Sequence, residues 1–547
     1  LLCISFLDAH AQDKGNGGLT GVITEMNDIK PKLADAVKID VTPVQENIAV
    51  QKPQMTYTTE SYLLPTTVYK SKIQPAFIKK DILHELNKSF VKGDFGNYGN
   101  LYLEAFYNTL RNRTDLLSVD LKHWSGDGPV KNSGFSDNVI DLYGSHIINA
   151  KYDLGGDIGF ERTANHFYAT IPDSLKPNTS DYQAFDDFHA KAHFANTGAD
   201  TGKLRYNFGI GYDGFQNYYK TSENDITASL MADEPLNTND IVLNASYDYM
   251  NYKTESSINR TLLKIDAGYR FKAGIMRLYL GFKTAGDGGD SNTSAFHFYP
   301  DLNINADLVD KYLSVFGGIT GGMEKNTFRQ LAYENPFMVT APELRNTNDK
   351  FELFGGLKGS FSSSSSFLLR AAFINYQNLY FYVEDTTDRR KFVPVYDNGT
   401  TTLINLHGEL GWTFSENLDL NTKIDFNNYT VSKLEFNGKP LPIEKPFERP
   451  GFEWMLTGNY KIENKIVFGG DVFFVGSRYA TDLTEKNIVT LKPFVDANAH
   501  ISYAFENIPG FKVFIELNNI FGNQYQVWDN YPVRGFQVVG GAMFSFL

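Results

Sequence analysis

The sequence predicts an all-β fold: a closed antiparallel transmembrane barrel of about 22 strands, between 20 and 22, behind an extended N-terminal arm. Three observations carry this. From about Ser89 onward, segments of ten to sixteen residues alternate apolar and polar positions. Short turn signals along that stretch alternate with longer linkers. No run approaches the ~20 apolar residues that a spanning helix needs.

Composition fits such a wall. There are 32 Tyr, 43 Phe and 46 Gly against a single Cys, and mean hydropathy is −0.32. That is the balance expected when every second strand residue faces oil and the rest faces water. The formal charge of −13, with Lys and Arg scattered, argues against nucleic acid as a partner. Neither a disulfide nor thiolate chemistry is expected, because Cys3 lies in a segment that resembles an export signal.

Taken in order, residues 1–11 (LLCISFLDAHA) have the apolar stretch and small-residue pattern of a signal-peptide tail, with cleavage expected after Ala11. Residues 12–85 carry Pro43, Pro53, Pro65 and Pro75 between short β-prone runs, which predicts extended chain without its own core. A helical turn is expected at Asp81–Leu86. Residues 86–547 form the barrel.

Within the barrel, faces follow from parity. Thr261, Leu263, Ile265, Ala267, Tyr269 and Phe271 share one side, opposite Arg260, Lys264, Asp266 and Arg270. Phe296, Phe298, Leu302, Ile304 and Leu308 oppose Asp301 and Asp307. Ile404, Leu406, Trp412 and Phe414 oppose His407 and Glu409, and Leu418, Leu420, Ile424 and Phe426 oppose Lys423 and Asp425. Arg277, Lys283, Asp471, Asp496, Lys512 and Glu516 complete the polar set, which is expected to line a lumen. A barrel of this width cannot be filled by side chains from opposite walls, so water or an inserted segment must occupy it. A two-sheet sandwich would need shorter strands.

Aromatic clusters at segment ends, Phe373–Tyr382, Trp412–Phe414, Phe452–Trp454, Phe473–Phe474 and Tyr525–Trp528, are expected to form interfacial girdles. Tight turns are expected at 152–155, 272–274, 307–310, 362–366, 462–465 and 506–510. Longer loops are expected at 171–185, 326–346, 384–400 and 432–447, with NTFRQLAYENPFMVTAPELRNT folding partly as a helical cap because Phe328, Leu331 and Ala332 have helical spacing. These loops are expected to be too short to build an elaborate ligand-capturing vestibule. The last strand closes the ring, its outward row of Phe536, Val538, Phe544 and Phe546 facing lipid.

The segment ELNNIFGNQYQVWDNYPVRGFQVVGGAMFSF, Glu516 to Phe546, resembles the closing hairpin of TonB-dependent-receptor barrels. Phe90 to Asn138, together with IKPKLADAVKID and the proline-spaced run, is similar to a plug-less, receptor-like barrel family of Bacteroidota outer membranes. The resemblance implies an outer-membrane location, a periplasmic N-terminus, contact with lipopolysaccharide and folding by the barrel-assembly machinery. Only about 74 residues precede the first strand after Ala11, fewer than a receptor plug requires, and VKIDVTP matches an energy-coupling box no better than any β-prone peptide would.

No catalytic, cofactor or metal constellation is present. His297, His407 and His500 lie on separate strands, the Ser362–Phe367 run has no base beside it, and neither Gly-rich stretch leads into a helix. Two functions remain: a pore or transport channel, with the arm as a partial plug or partner contact, and a structural or assembly subunit whose arm binds periplasmic or outer-membrane proteins. An enzyme is not expected.

Overall fold

The computed structural model describes residues 89–546 apart from short stretches at 110–113, 132, 172–180, 198–202, 291, 416, 464 and 484–487. The expectations for residues 1–88 lie outside the described residues. One antiparallel sheet of 22 strands closes on itself. The first strand, Ser89–Gly96, pairs on one side with Leu101–Asn108 and on the other with the last, Gln537–Phe546, from Ser89 opposite Phe546 to Gly96 opposite Val539. Closure is what hydrocarbon demands, since an open edge would leave backbone groups unpaired at several kcal/mol each.

Burial is inverted relative to a water-soluble protein. Phe298 is 63 % exposed whereas Asp301, three residues on, is 5 % exposed. The outward rows include Leu263, Leu302, Ile304, Leu406, Trp412, Phe426, Val538 and Phe544, all exposed, while Arg260, Asn405, His407, Asp425 and Asp496 are buried. Side chains alternate across a strand with a period of two, so one face of each strand meets lipid and the other the interior. Phe536 is exposed as expected but precedes the final strand rather than belonging to it.

The two rims differ. At one, where Ser89 and Phe546 meet, most connections are short, the longest running over 197–204. Asn237 and Gly274 turn the chain with φ of 62° and 60° in loops of two residues, the left-handed conformation such hairpins require. Here the first expected turn needs correction: Tyr152 to Gly155 begin a strand, and the turn lies at 149–151, where Asn149 and Ala150 have φ of 52° and 57°. The strand continues four residues further toward this rim than the expected turn allowed. At the other rim the chain makes its long excursions, including 325–346, 378–400, 431–451, 476–493 and 519–536.

Some inner-row glycines make room for rings from the neighbouring strand. A Cβ on Gly469 would meet the His500 ring at 2.0 Å.

Replacing Ile304 by Arg should destabilise the barrel by about 2–4 kcal/mol if the site lies near the bilayer midplane, whereas Asp307→Asn on the opposite face should change stability little. Urea-induced unfolding in lipid vesicles measures both.

Candidate functional site

The long connections fold over the bore and into one another. Connection 325–346 carries the helix Phe328–Glu334, started by Thr327, whose side chain accepts a hydrogen bond from the Gln330 N–H at 3.0 Å. Phe328, Leu331 and Ala332 are its buried face. Connection 378–400 forms a hairpin whose two strands, Tyr380–Glu384 and Phe392–Asp397, are fully buried, and Leu434–Phe436 extends it by pairing Glu435 with Tyr396. Two further small pairings, Arg478–Ala480 with Val489–Leu491 and Gln526–Trp528 with Tyr531–Pro532, belong to the same assembly.

These segments share a core with the wall. Phe328, Phe337, Tyr380, Phe392, Trp528 and Tyr531 cluster with Phe185, Phe215 and Tyr252, inner-row residues of three barrel strands. The Phe337 and Tyr531 rings stack at 3.7 Å, and Phe215 meets Phe328 edge-on at 5.1 Å, both favoured aromatic geometries. The barrel therefore carries a cap across its loop-rim mouth, built from several connections. This overturns the expectation that the loops are too short to build a vestibule: each is short alone, but together they bury a common core.

It also corrects the girdle. Trp412 and Phe414 are exposed on the wall, but Tyr380, Phe381, Tyr382 and Trp528 are buried in the cap, Phe473 is buried on the inner side, and Tyr525 stacks on Phe494 at 3.7 Å.

The arginines inside the cap have partners, as burial requires. Arg390, 1 % exposed, donates through Nε to Asp388 at 2.9 Å and also pairs with Asp181. Burial pushes the Asp388 carboxyl up, but the Arg390 guanidinium outweighs it and holds the group below the usual carboxylate range. Arg449 donates to the Tyr380 carbonyl at 2.9 Å and covers the Tyr380 and Phe381 rings.

Three carboxyls from three connections meet with fewer counter-charges. Glu384 accepts from Asn530 Nδ2 at 2.6 Å and from Arg389 at 2.9 Å, and Glu448 accepts from the Asp529 N–H at 3.3 Å, 3.7 Å from Arg478. Burial pushes Glu448 up to about 8, with Arg478 pulling it down and Asp529 opposing that pull. Glu384 and Asp529 are likewise raised, chiefly by burial.

The residues singled out from the sequence lie along the wall, most of them in local pairs. Arg277 contacts Asp307 at 3.0 Å, Lys283 contacts Asp301 at 3.3 Å, Lys423 contacts Glu409 at 3.2 Å, and Asp425 bonds His407 at 2.7 Å. Arg270 lies 3.6 Å from Asp240, Asp266 accepts from Tyr279 at 2.8 Å, Asp471 from Asn498 at 2.7 Å, and Glu516 stands 4.0 Å from Lys92. Lys264 stands in the row between Arg260 and Asp266, opposite Ser246. Two members touch the cap or its root: Arg260 donates to the Asn326 carbonyl at 2.9 Å, and Asp496 accepts from Tyr525 at 2.6 Å. The cap's own charges, Glu384, Arg390, Glu448, Arg478 and Asp529, were not singled out. Their only sequence signal is charge inside aromatic-rich loops, which exposed loops share. Among the described residues no group of three or more metal-ligating side chains converges.

A closed 22-strand barrel with an oily exterior and a polar interior is an outer-membrane β-barrel. The sequence matches no family model and no curated protein. Among solved structures the fold is similar to the FrpB iron transporter of Neisseria meningitidis, with a TM-score of 0.68 at 9 % identity over 84 % of this chain and 82 % of that one. It is also similar to the ferric enterobactin receptor PfeA of Pseudomonas aeruginosa, TM-score 0.63 at 12 % identity over 84 % and 80 %, and to the ferric-catecholate import receptor Fiu of E. coli, 0.64 at 8 % over 84 % and 82 %. At such identities the likeness is one of fold, and it is the fold of the receptor-like barrels that the closing hairpin resembles.

The raised carboxyls give the cap a pH dependence. A raised folded-state value contributes stability that is complete at acid pH and disappears as pH rises through it, for Glu448 about 8. In a variant retaining only Trp528, acrylamide quenching should increase several-fold between pH 6 and pH 9, and Glu448→Gln should flatten that profile.

Proposed function

We propose that this chain is an outer-membrane transport barrel, a pore or uptake channel whose outer mouth is stopped by its own loops and opens when they are displaced. The observation that carries this is the pairing of a polar bore with a cap. A scaffold needs neither a water-compatible interior nor a core of loops packed across one mouth.

Tight turns face the periplasm and long loops the exterior in barrels of this kind, so the cap is external and the chain enters the barrel from the periplasmic side at Ser89. Residues 12–85 then lie at the periplasmic mouth, as a partial plug or a contact for a periplasmic partner. The row from Arg260 to Glu516 lines the lumen in this reading. The fold likeness to an iron transporter, a ferric enterobactin receptor and a ferric-catecholate import receptor supports transport as the general role.

Planar-bilayer recording tests it. The full chain should show small or infrequent steps, and removal of residues 379–399, the cap hairpin, should give steps several-fold larger and sustained. A further increase on removing residues 12–85 would assign the arm a plugging role. Absence of conductance in every form removes the pore and leaves the anchoring subunit, with the arm as its docking element.

A further inference from the structure

The polar residues that sequence parity singled out begin at Arg260, and they are of both signs. The wall before Arg260 also carries Lys191 and Arg205, but acid outweighs base along it. Along the inner rows of the strands Phe135–Ile148 to Asn239–Lys253 stand Asp141, Asp157, Asp187, Asp213, Asp225 and Asp248. Asp213 and Asp225 are directly opposite each other across a strand pair, an arrangement that repels unless a cation is placed against it.

The cations placed there come partly from the wall and partly from the cap. His189 serves Asp141 at 3.5 Å and Asp157 at 3.2 Å. Further along, the cap supplies them: Lys325 Nζ lies 2.6 Å from both Asp225 and Asp248, and Arg329 Nε donates to Asp187, which also accepts from the Tyr333 hydroxyl at 3.0 Å. Lys325 and Arg329 stand at the start of the same connection, one just before the helix and one in its first turn. The wall thus already holds two ligands, a primary ammonium and a guanidinium, delivered from a separate and displaceable element. The seats are not saturated by them. Asp187 and Asp225 are 1 % and 5 % exposed, yet the second carboxylate oxygen of each has no hydrogen-bond partner, which leaves acceptor capacity for further N–H donors.

We propose that the inner face of the strands Tyr182–Asn196, Arg205–Asn217, Ser222–Leu236 and Asn239–Lys253 is a binding wall for a small solute carrying two or more amine groups, and that Lys325 and Arg329 keep its seats in the closed state. A polyamine entering the mouth replaces these side chains one for one, charge for charge. Because Lys325 and Arg329 root the helix whose Phe328 packs on Phe215, displacing them loosens the cap at its attachment to the wall. Solute binding and opening are then linked: whatever occupies the wall disfavours the capped state, and the capped state weakens the wall for the solute.

The inference rests on the transport reading for its use, but binding is measured without conduction. Spermidine is titrated calorimetrically into the detergent-solubilised full chain at low ionic strength, where ion pairs are least screened. Lys325→Ala removes the built-in competitor from a residue outside the barrel strands, and should tighten spermidine binding by about tenfold. Lys325→Arg should leave it near the wild-type value, and Asp225→Asn with Asp248→Asn should abolish it in protein that keeps the heat-modifiable gel migration of a folded barrel. Unchanged or weaker affinity in Lys325→Ala, or wild-type affinity in the double Asn variant, overturns the proposal. Spermidine binding in a protein that never conducts would overturn the pore reading and leave the wall assignment standing.

Discussion

The whole structure depends on where backbone hydrogen bonds go when no water is available to receive them. In hydrocarbon the only sheet without a penalty is one that has no edges, so the pairing of Ser89–Gly96 with Gln537–Phe546 is the contact that licenses all the others. Once the ring is closed, period-two side-chain geometry sends Phe298, Leu302 and Ile304 outward and Asp301 and Asn303 inward without further instruction. The pattern inverts that of a soluble domain: apolar side chains remain exposed and charged ones are buried.

A ring this wide leaves a bore, and the cap is the chain's solution at one end. Several connections, none able to form a core alone, pool Phe328, Phe337, Tyr380, Phe392, Trp528 and Tyr531 against the inner-row rings Phe185, Phe215 and Tyr252. Burying that core also buries charge. Arg390 is matched by Asp388 and Asp181, but burial raises the carboxyls of Glu384, Glu448 and Asp529, which share too few counter-charges to offset it. The cap is thus firmly packed and electrostatically uneasy at once, a combination consistent with the opening proposed for it.

The wall was legible from the sequence because alternation survives in many barrel strands: the faces of Thr261–Phe271, Phe296–Leu308 and Ile404–Phe414 follow from parity alone, and turn spacing gives about 22 strands, the number observed. The helix in 325–346 was legible for the same reason, its Phe328, Leu331 and Ala332 having the period of a helix. The cap as a whole was not. Aromatic residues near strand ends serve either an interfacial girdle or a core folded over the mouth, and one-dimensional spacing does not separate them: Trp412 and Phe414 took the first role, Tyr380, Tyr382 and Trp528 the second. The acidic wall was not legible, because its aspartates are spread over several strands and converge only when registers such as Asp213 opposite Asp225 are fixed.

The account stands on the outward rows touching acyl chains, and depth-dependent quenching by brominated lipids addresses that contact directly. In reconstituted protein carrying a single tryptophan, Trp412 should be strongly quenched by lipids brominated along the chain, whereas Trp528 should be indifferent to them. Equal quenching of the two, or none at Trp412, would contradict it.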